Sequence, residues 1–220
     1  MFDAVLFDCD GVLVDSETIT CGALRDMLAA SGWVMTLQEC MDRFVGKTVR
    51  SETETIEQHT GTPLTDAWMA AFYAERDRRL LARVQTVDGA QALVSTAQQL
   101  TQSRIAVCSG ADKPKLMMML AHVDLLTPFG DHVYSGHDLP RSKPFPDVYL
   151  AGAQALGVAP ERCLVIEDTP TGVAAGLAAG ATVWGFTGLH QQSLLAHGVH
   201  REFEDLAQLT EAMTQSWLAP

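Results

Sequence analysis

The chain has 220 residues, of which 47% are hydrophobic, so it can bury a core and fits one large domain or a core with a smaller inserted domain. Its 27 acidic and 15 basic residues give a formal net charge of −12 at pH 7. This acidity argues against nonspecific binding of nucleic acid, which needs a basic surface, and against attachment to an anionic membrane.

The five cysteines form no CxxC pair and no regular spacing with histidines, so a zinc site is not expected. Their odd number and their positions beside apolar runs predict reduced, mostly buried thiols in a cytoplasmic protein. Residues 1–3 lack the basic start of a signal peptide, which agrees with that location. The small, apolar stretch 172–181 is too short for a bilayer, which takes about 20 residues, and predicts a helix packed closely on a sheet.

The first predicted element is a short strand over Ala4–Asp8, and a helical block follows it. In this block apolar residues recur at helical spacing, and glycine or proline interrupts the pattern at intervals. The helices of the block are predicted from residue 16 to the break at Gly32, and then over 37–44, 49–59 and 65–81.

From Val87 onwards, predicted helices and strands alternate. Helices are predicted over 89–100, around 116–120, and over 147–156, 172–181 and 206–217, and strands over 105–108, 132–134, 163–166 and 182–186. This alternation predicts an α/β fold with a parallel sheet and right-handed crossovers. The helical block interrupts the alternation, so we interpret residues 16–83 as an inserted cap and residues 1–15 and 84–220 as the core.

Two carboxylates, Asp8 and Asp10, stand at the C-terminal end of the first predicted strand. Aspartate is depleted in strands and is rarely buried without a partner. A single aspartate at this point could cap a helix or start a turn, but a pair followed by glycine calls for another explanation. In an open α/β sheet the active crevice lies outside the carboxyl ends of the strands, so both acids stand where chemistry is normally done.

Polar side chains also follow three later strands or strand-to-loop segments. They are Ser109 with Gly110, Lys143, and Glu167 with Asp168. Each has an ordinary explanation by itself, as a helix cap or an exposed lysine. Because parallel strands end at one edge of a sheet, we expect all of them to converge with Asp8 and Asp10.

Together these residues are suited to phosphoryl transfer. Asp8, Glu167 and Asp168 are hard oxygen ligands of the kind that Mg²⁺ takes beside a substrate phosphate. Lys143 supplies positive charge, and Ser109 with the amides after it supplies donors for the phosphate. A carboxylate such as Asp8 can then attack phosphorus, while Asp10 protonates the leaving oxygen and later takes a proton from water.

With these residues the sequence resembles the haloacid dehalogenase superfamily over nearly the whole chain. Asp8–Val12 matches the family's DxDG(T/V) motif, Ser109 its Ser/Thr motif, Lys143 its lysine motif, and Glu167–Gly172 its acidic motif. The resemblance implies a Rossmann-like core, a small α-helical cap between the first two motifs, and Mg²⁺ as cofactor. It implies that Asp8 is nucleophile and metal ligand, and that Asp10 is acid/base and lends its backbone carbonyl to the metal.

By the same resemblance, Asp168 completes the protein metal ligands with help from Glu167, and Ser109, Gly110 and Lys143 bind the transferring phosphoryl group. The usual residue after the serine is asparagine or serine, so at Gly110 a backbone amide would have to serve.

The branches of the superfamily differ at single positions. Dehalogenases and phosphonoacetaldehyde hydrolases lack the second aspartate, so Asp10 argues against both. Mutases similar to beta-phosphoglucomutase usually carry a histidine where this chain has Thr20, which favours a phosphatase over a phosphomutase. The stretch 134–141 is similar to a 6-phosphogluconate phosphatase-type subgroup. The prediction is a Mg²⁺-dependent phosphatase of small sugar-phosphate or phosphogluconate-type metabolites, with a phosphomutase as the alternative.

A third interpretation is a signalling receiver domain, which uses a phosphorylated aspartate on a similar sheet. Such domains lack a counterpart of Asp10 and do not have so large a cap.

Within the cap, the loop Gly46–Arg50 stands at a helix break and carries Lys47 and Arg50, which we expect to contact the non-transferred end of the substrate. Residues 15–16 and 84–88 are candidate hinges for cap movement. We expect a monomer or a weak homodimer.

Overall fold

A computed structural model describes residues 2–189 and 192–218, and the chain divides in it into two compact units. The first unit comprises Met1–Val14 and Thr86–Pro220, and the second comprises Asp15–Gln85. The junctions between the units lie within one or two residues of the limits that the sequence predicts for core and cap.

The helices and strands are as follows. The strands are β1 (Ala4–Phe7), β2 (Val14–Asp15), β3 (Gln85–Thr86), β4 (Ile105–Ser109), β5 (Val133–Ser135), β6 (Cys163–Glu167), β7 (Thr182–Phe186) and β8 (Arg201–Phe203). The helices are α1 (Glu17–Ala30), α2 (Leu37–Phe44), α3 (Thr53–Thr60), α4 (Asp66–Arg83), α5 (Ala90–Thr101), α6 (Lys113–His122), α7 (Asp147–Ala155), α8 (Pro170–Ala178) and α9 (Leu206–Leu218).

Six strands of the first unit form one sheet in the order β5-β4-β1-β6-β7-β8, and each of its strand pairs is parallel. This confirms the predicted α/β fold class with a Rossmann-like parallel sheet. Strands β2 and β3 pair in a separate two-stranded sheet.

Strand β1 lies in the middle of the large sheet, and its four residues are buried. A continuous apolar run is what a parallel strand covered on both faces requires. In register, Phe7 stands opposite Val107 of β4 and Ile166 of β6, so the residues after β1 emerge beside the ends of both neighbours. This register places Asp8 between the ends of β4 and β6.

Small residues let the helices of the first unit approach the sheet closely. A Cβ atom on Gly176 of α8 would lie 2.8 Å from a methyl group of Val183, and one on Gly152 of α7 would lie 2.6 Å from the Cys108 sulfur. The predicted close packing of the glycine-spaced helix is therefore confirmed at Gly176.

The second unit is helical and has a hydrophobic core of its own, which includes Leu24, Leu28, Ile56 and Phe72. The prediction of one helix over 49–59 is wrong in its first turn. Residues Val49–Glu52 form a 3-10 turn, with the Thr48 hydroxyl accepting from the Ser51 amide, before α3 begins.

The five cysteines are buried free thiols, as predicted. Within residues 2–189 and 192–218, we find no helix with the length and apolar character needed to cross a membrane.

Candidate active site

The predicted carboxylates meet at the C-terminal edge of the large sheet, between β1 and β6. The Asp8 amide still donates to the carbonyl of Ile166 at 3.0 Å, so Asp8 continues the pairing of β1 with β6 by one residue. Glu167 is the last residue of β6, and Asp168 follows it. The two strands therefore deliver Asp8, Glu167 and Asp168 to one place.

Lys143 joins the ends of these strands. Its ammonium lies 2.6 Å from an oxygen of Asp8 and 2.6 Å from Oε1 of Glu167, and all three side chains are buried. A buried charge is tolerated only when it is paired and hydrogen-bonded, and here one cation serves two carboxylates. This places the predicted phosphate-binding lysine beside the predicted nucleophile.

Glu167 is 0% exposed, and both of its oxygens are hydrogen-bonded. Oε1 accepts from Lys143 and from the Tyr149 hydroxyl, the latter at 2.7 Å. Oε2 accepts from the amides of Asp168 and Thr169 and from the Thr169 hydroxyl, at 3.0–3.1 Å. Glu167 thus fixes both the lysine and the turn that leads into α8.

Burial and these contacts shift the pKa values of the three groups. Burial is the main reason that the pKa of Asp8 is raised to about 7; Glu167 and Asp10 act in the same direction, and Lys143 opposes them. Burial alone would raise the pKa of Glu167, but Lys143 and the hydrogen bonds hold it below its usual value. Burial alone would lower the pKa of Lys143, but Asp8 and Glu167 outweigh it and raise the pKa.

Carboxylate oxygens of Asp8, Glu167 and Asp168 all lie within 4.8 Å of one another, which forms a buried acidic cluster. Hard oxygen donors in this number fit a cation such as Mg²⁺. Gly11 makes room for one of them, because a Cβ at that position would lie 1.8 Å from Oδ2 of Asp168. The donor set and the space around it therefore fit the predicted metal.

The Asp10 carboxylate is held by a different lysine. Its Oδ1 accepts from the ammonium of Lys115 at 2.6 Å, and Lys115 is only 6% exposed. Asp10 lies in a tight turn in which the Gly11 amide donates to the carbonyl of Val14. The two aspartates of the motif are thus served by separate cations.

Ser109 ends β4, next to β1, and is buried. Its hydroxyl accepts from the Ala111 amide at 3.1 Å, which shapes the loop before α6. Gly110 lies in this loop, and a Cβ there would be 3.9 Å from the Ser142 hydroxyl, so the Ser109 loop and the segment before Lys143 are neighbours.

The cap residues proposed from the sequence lie in the second unit. Lys47, which follows Gly46, is half exposed and lies 3.3 Å from Glu52. Arg50 is exposed and pairs with Asp66 at 2.6 Å. Both cations therefore have carboxylate partners inside their own unit.

Sequence reasoning missed two residues of the site, Lys115 and Tyr149. Lys115 is the third residue of α6, where a cation opposes the helix dipole, and this unfavourable position was the available signal. Tyr149 lies six positions after Lys143 in α7, and its hydroxyl gives no pattern that separates it from an ordinary core tyrosine.

Comparison with known proteins agrees with this geometry. Residues 2–180 match the family model described as haloacid dehalogenase-like hydrolase. The chain is 30% identical to the 6-phosphogluconate phosphatase of Escherichia coli K12, over 95% of this chain and 93% of the relative, and 29% identical to hexitol phosphatase A of the same organism, over 81% and 80%.

Among solved structures, a HAD family hydrolase from Deinococcus radiodurans with bound phosphate and sodium is 33% identical to the chain. The match has a TM-score of 0.79 and covers 100% of this chain and 98% of that one. The family match, the relatives and the shared fold agree with the motif residues gathered at the sheet edge. The chain therefore belongs to the haloacid dehalogenase-like hydrolases.

Proposed function

We propose that this hydrolase is a Mg²⁺-dependent phosphatase of small phosphorylated metabolites that works through an aspartyl-phosphate on Asp8. The observation that carries the proposal is the buried Lys143 ammonium, 2.6 Å from Asp8 and 2.6 Å from Glu167. An anionic nucleophile can approach an anionic phosphoryl group only where nearby cations offset the repulsion. Lys143 supplies such a cation beside the attacking carboxylate.

In the first step, an oxygen of Asp8 attacks phosphorus, the Asp8–phosphorus bond forms, and the bond from phosphorus to the substrate oxygen breaks. Asp10 enters this step as the carboxylic acid and gives that oxygen its proton, so the product leaves as an alcohol and Asp10 is left as a carboxylate. In the second step Asp10 takes a proton from water, water attacks phosphorus, and the aspartyl bond breaks to release phosphate. Both aspartates end in their starting states.

Asp8 and Asp168 would hold the metal together with the Asp10 backbone carbonyl, and Glu167 would stand beside them. A bound Mg²⁺ would offset the charge of the phosphoryl oxygens and favour the ionised form of Asp8. We give Glu167 mainly the task of holding Lys143 and the α8 turn, because each of its oxygens already accepts hydrogen bonds from the protein.

We assign Ser109 and the backbone around Gly110 to the phosphoryl oxygens. The relatives named for 6-phosphogluconate and hexitol phosphates support an alkyl phosphate on a small polyol or sugar acid as the substrate class.

Lys47 is the leading candidate for binding the non-transferred end of the substrate, and Arg50 is the second. We rank them in this order because the ion pair of Lys47 with Glu52 is longer than that of Arg50 with Asp66. Lys47→Ala should then raise KM on the best substrate and leave kcat nearly unchanged.

The test is phosphate release from a panel of sugar phosphates, phosphogluconate, phosphoglycolate and nucleotides, with and without Mg²⁺. Asp8→Asn should abolish release, and Asp131→Asn, an exposed aspartate of the same unit, should not. Interconversion of sugar-phosphate isomers without net release would instead make the protein a phosphomutase. Neither activity on any member of the panel would contradict the proposal.

A further inference from the structure

The site contains a second buried lysine that the reaction just described does not use. Lys115 donates to Asp10 Oδ1 at 2.6 Å, and it is 6% exposed. We propose that Lys115 is a positioning residue: its bond to Oδ1 holds the Asp10 carboxyl group so that the other carboxyl oxygen carries the proton to the leaving oxygen. This inference rests on the proposed phosphatase function.

The fold gives Lys115 no reason of its own to be a lysine. It is the third residue of α6, and its amide already donates to the Asp112 side chain that caps the helix. A cation this close to a helix N-terminus opposes the helix dipole. The residues that follow it on the buried face, Leu116, Met119 and Leu120, are apolar, so methionine would suit the position as well or better.

A buried ion pair is also a weak source of stability. Removing two charges from water is unfavourable, and the buried pair seldom stabilises a fold more than apolar residues of the same size would. A lysine at such a position is therefore better explained by what it does to its partner than by its contribution to folding.

Asp10 lies in a turn and not in a regular helix or strand. It follows the end of β1, in the turn closed by the Gly11 amide, where it forms an isolated bridge with Val14. A helix is a more rigid platform than a turn, and a general acid must meet its target oxygen within hydrogen-bond reach. Lys115 connects the turn to α6 and so fixes the carboxylate.

The separation of the two lysines supports the same role. Lys143 contacts Asp8 and Glu167, and Lys115 contacts Asp10. When the Asp8 carboxylate leaves its ion pair to attack phosphorus, the support of Asp10 need not change. The nucleophile and the proton donor can therefore be held independently.

The inference predicts an effect that depends on the leaving group. An alkyl phosphate needs a proton on its departing oxygen, whereas p-nitrophenyl phosphate releases a stable phenolate without one. General acid catalysis contributes about 10²- to 10⁴-fold, and misorientation should forfeit part of that. We expect Lys115→Met to lower kcat/KM for the best alkyl phosphate by about 10- to 100-fold. For p-nitrophenyl phosphate we expect a loss of less than about threefold.

The experiment measures kcat/KM on both substrates for wild type, Lys115→Met, Lys115→Arg, Asp10→Asn and the Asp10→Asn/Lys115→Met double variant, all with saturating Mg²⁺. Lys113→Met is the matched control, because it makes the same change at an exposed lysine of the same helix. Lys115→Arg keeps a charged donor and should recover part of the alkyl activity. In the double variant, Lys115→Met should not lower kcat/KM further than Asp10→Asn alone does.

Equal losses on the two substrates, or additive losses in the double variant, would overturn the inference. If Lys115→Met does not fold, Lys115→Gln provides the same comparison, with circular dichroism as the check on folding. Wild-type protein that hydrolyses neither substrate would overturn the proposed function and the inference with it. An active wild type with equal losses in the variant would overturn only the inference.

Discussion

The Lys143 ammonium lies 2.6 Å from Asp8 and holds this aspartate at the end of the central strand β1, where both side chains are buried. The same ammonium reaches Glu167 at the end of β6, so a single lysine spans two adjacent strand ends. Lys143 therefore has two effects: it allows two carboxylates to be buried, and it places a positive charge beside the proposed nucleophile.

Lys143→Met should damage both stability and activity. It leaves the buried Asp8 and Glu167 without their shared cation, and breaking a buried pair in this way costs about 3 kcal/mol or more. Loss of one charge-stabilising group should lower kcat by about 10²- to 10³-fold. Urea unfolding and phosphate release measure the two effects, with Lys113→Met as the control. A folded Lys143→Met variant of wild-type activity would remove Lys143 from the mechanism.

Two features require glycine at position 11: the positive φ of its backbone and the closeness of the Asp168 carboxylate. The φ of Gly11 is +84°, and a Cβ there would lie 1.8 Å from Asp168 Oδ2. Gly180 also has a φ of +84° but faces open space. Both substitutions to alanine carry a backbone strain of about 1–2 kcal/mol, but only Gly11→Ala displaces a proposed metal ligand.

We therefore expect Gly11→Ala to raise the Mg²⁺ concentration needed for half-maximal activity and to lower kcat/KM by about tenfold or more. Gly180→Ala should lose stability without either change. Titration of phosphatase activity with Mg²⁺ separates the two variants, and identical titration curves would show that the Gly11 contact does not position Asp168.

Tyr149→Phe removes one hydrogen bond to Glu167 and leaves the ring in place. A hydrogen bond to a charged acceptor contributes about 1.5 kcal/mol, so stability should fall by about that amount. Glu167 keeps its bond to Lys143, so kcat/KM should fall by no more than about tenfold. Tyr134→Phe, where the hydroxyl contacts His132 outside the site, is the control. A Tyr149→Phe variant as stable as wild type would show that the hydroxyl adds nothing.

The second unit should lose stability in acid through Glu75. Hydrogen bonds from Arg78 and Arg79 lower the pKa of Glu75 to about 2. A carboxyl whose folded-state pKa is lowered stabilises the fold above its unfolded-state pKa, here about 4.5, and this contribution disappears as the pH falls towards 2. The effect should be small, because the Glu75 side chain is partly exposed and solvent screens its ion pairs.

Glu75→Gln should therefore lower the urea midpoint at pH 7, and its difference from wild type should shrink as the pH falls from 4.5 to 3. Glu54→Gln is the control, since Glu54 is an exposed glutamate of the same unit that accepts from the neutral amide of Gln58. A difference between wild type and Glu75→Gln that is independent of pH would contradict the assignment.

The strand ends of the core could be predicted from the sequence because each carries a polar cluster directly behind a buried apolar run. Asp8 and Glu167 illustrate this, since their neighbours in β1 and β6 are entirely apolar and the parallel sheet brings the two ends together. The family resemblance then supplied the order of the motifs and their expected roles.

Lys115 and Tyr149 could not be predicted in the same way, because they reach the site from helices. Lys115 stands 105 positions after Asp10, and only the packing of α6 brings them together. The prediction of a helix over 49–59 is wrong in its first turn because Thr48 accepts local hydrogen bonds from Ser51, which tighten the chain there. Strand β8 was missed because it is a short edge strand carrying Arg201 and Glu202, charges that are typical of protected sheet edges.

The central claim is that Asp8 becomes phosphorylated during turnover. The most direct measurement is a rapid acid quench of the enzyme with Mg²⁺ and its best alkyl phosphate, followed by mass spectrometry of the peptide that contains Asp8. The account predicts a phosphoryl group on Asp8 that hydroxylamine removes and that Asp8→Asn does not carry. Phosphate release that proceeds at the same rate in Asp8→Asn, or a phosphoryl group on another residue, would contradict it.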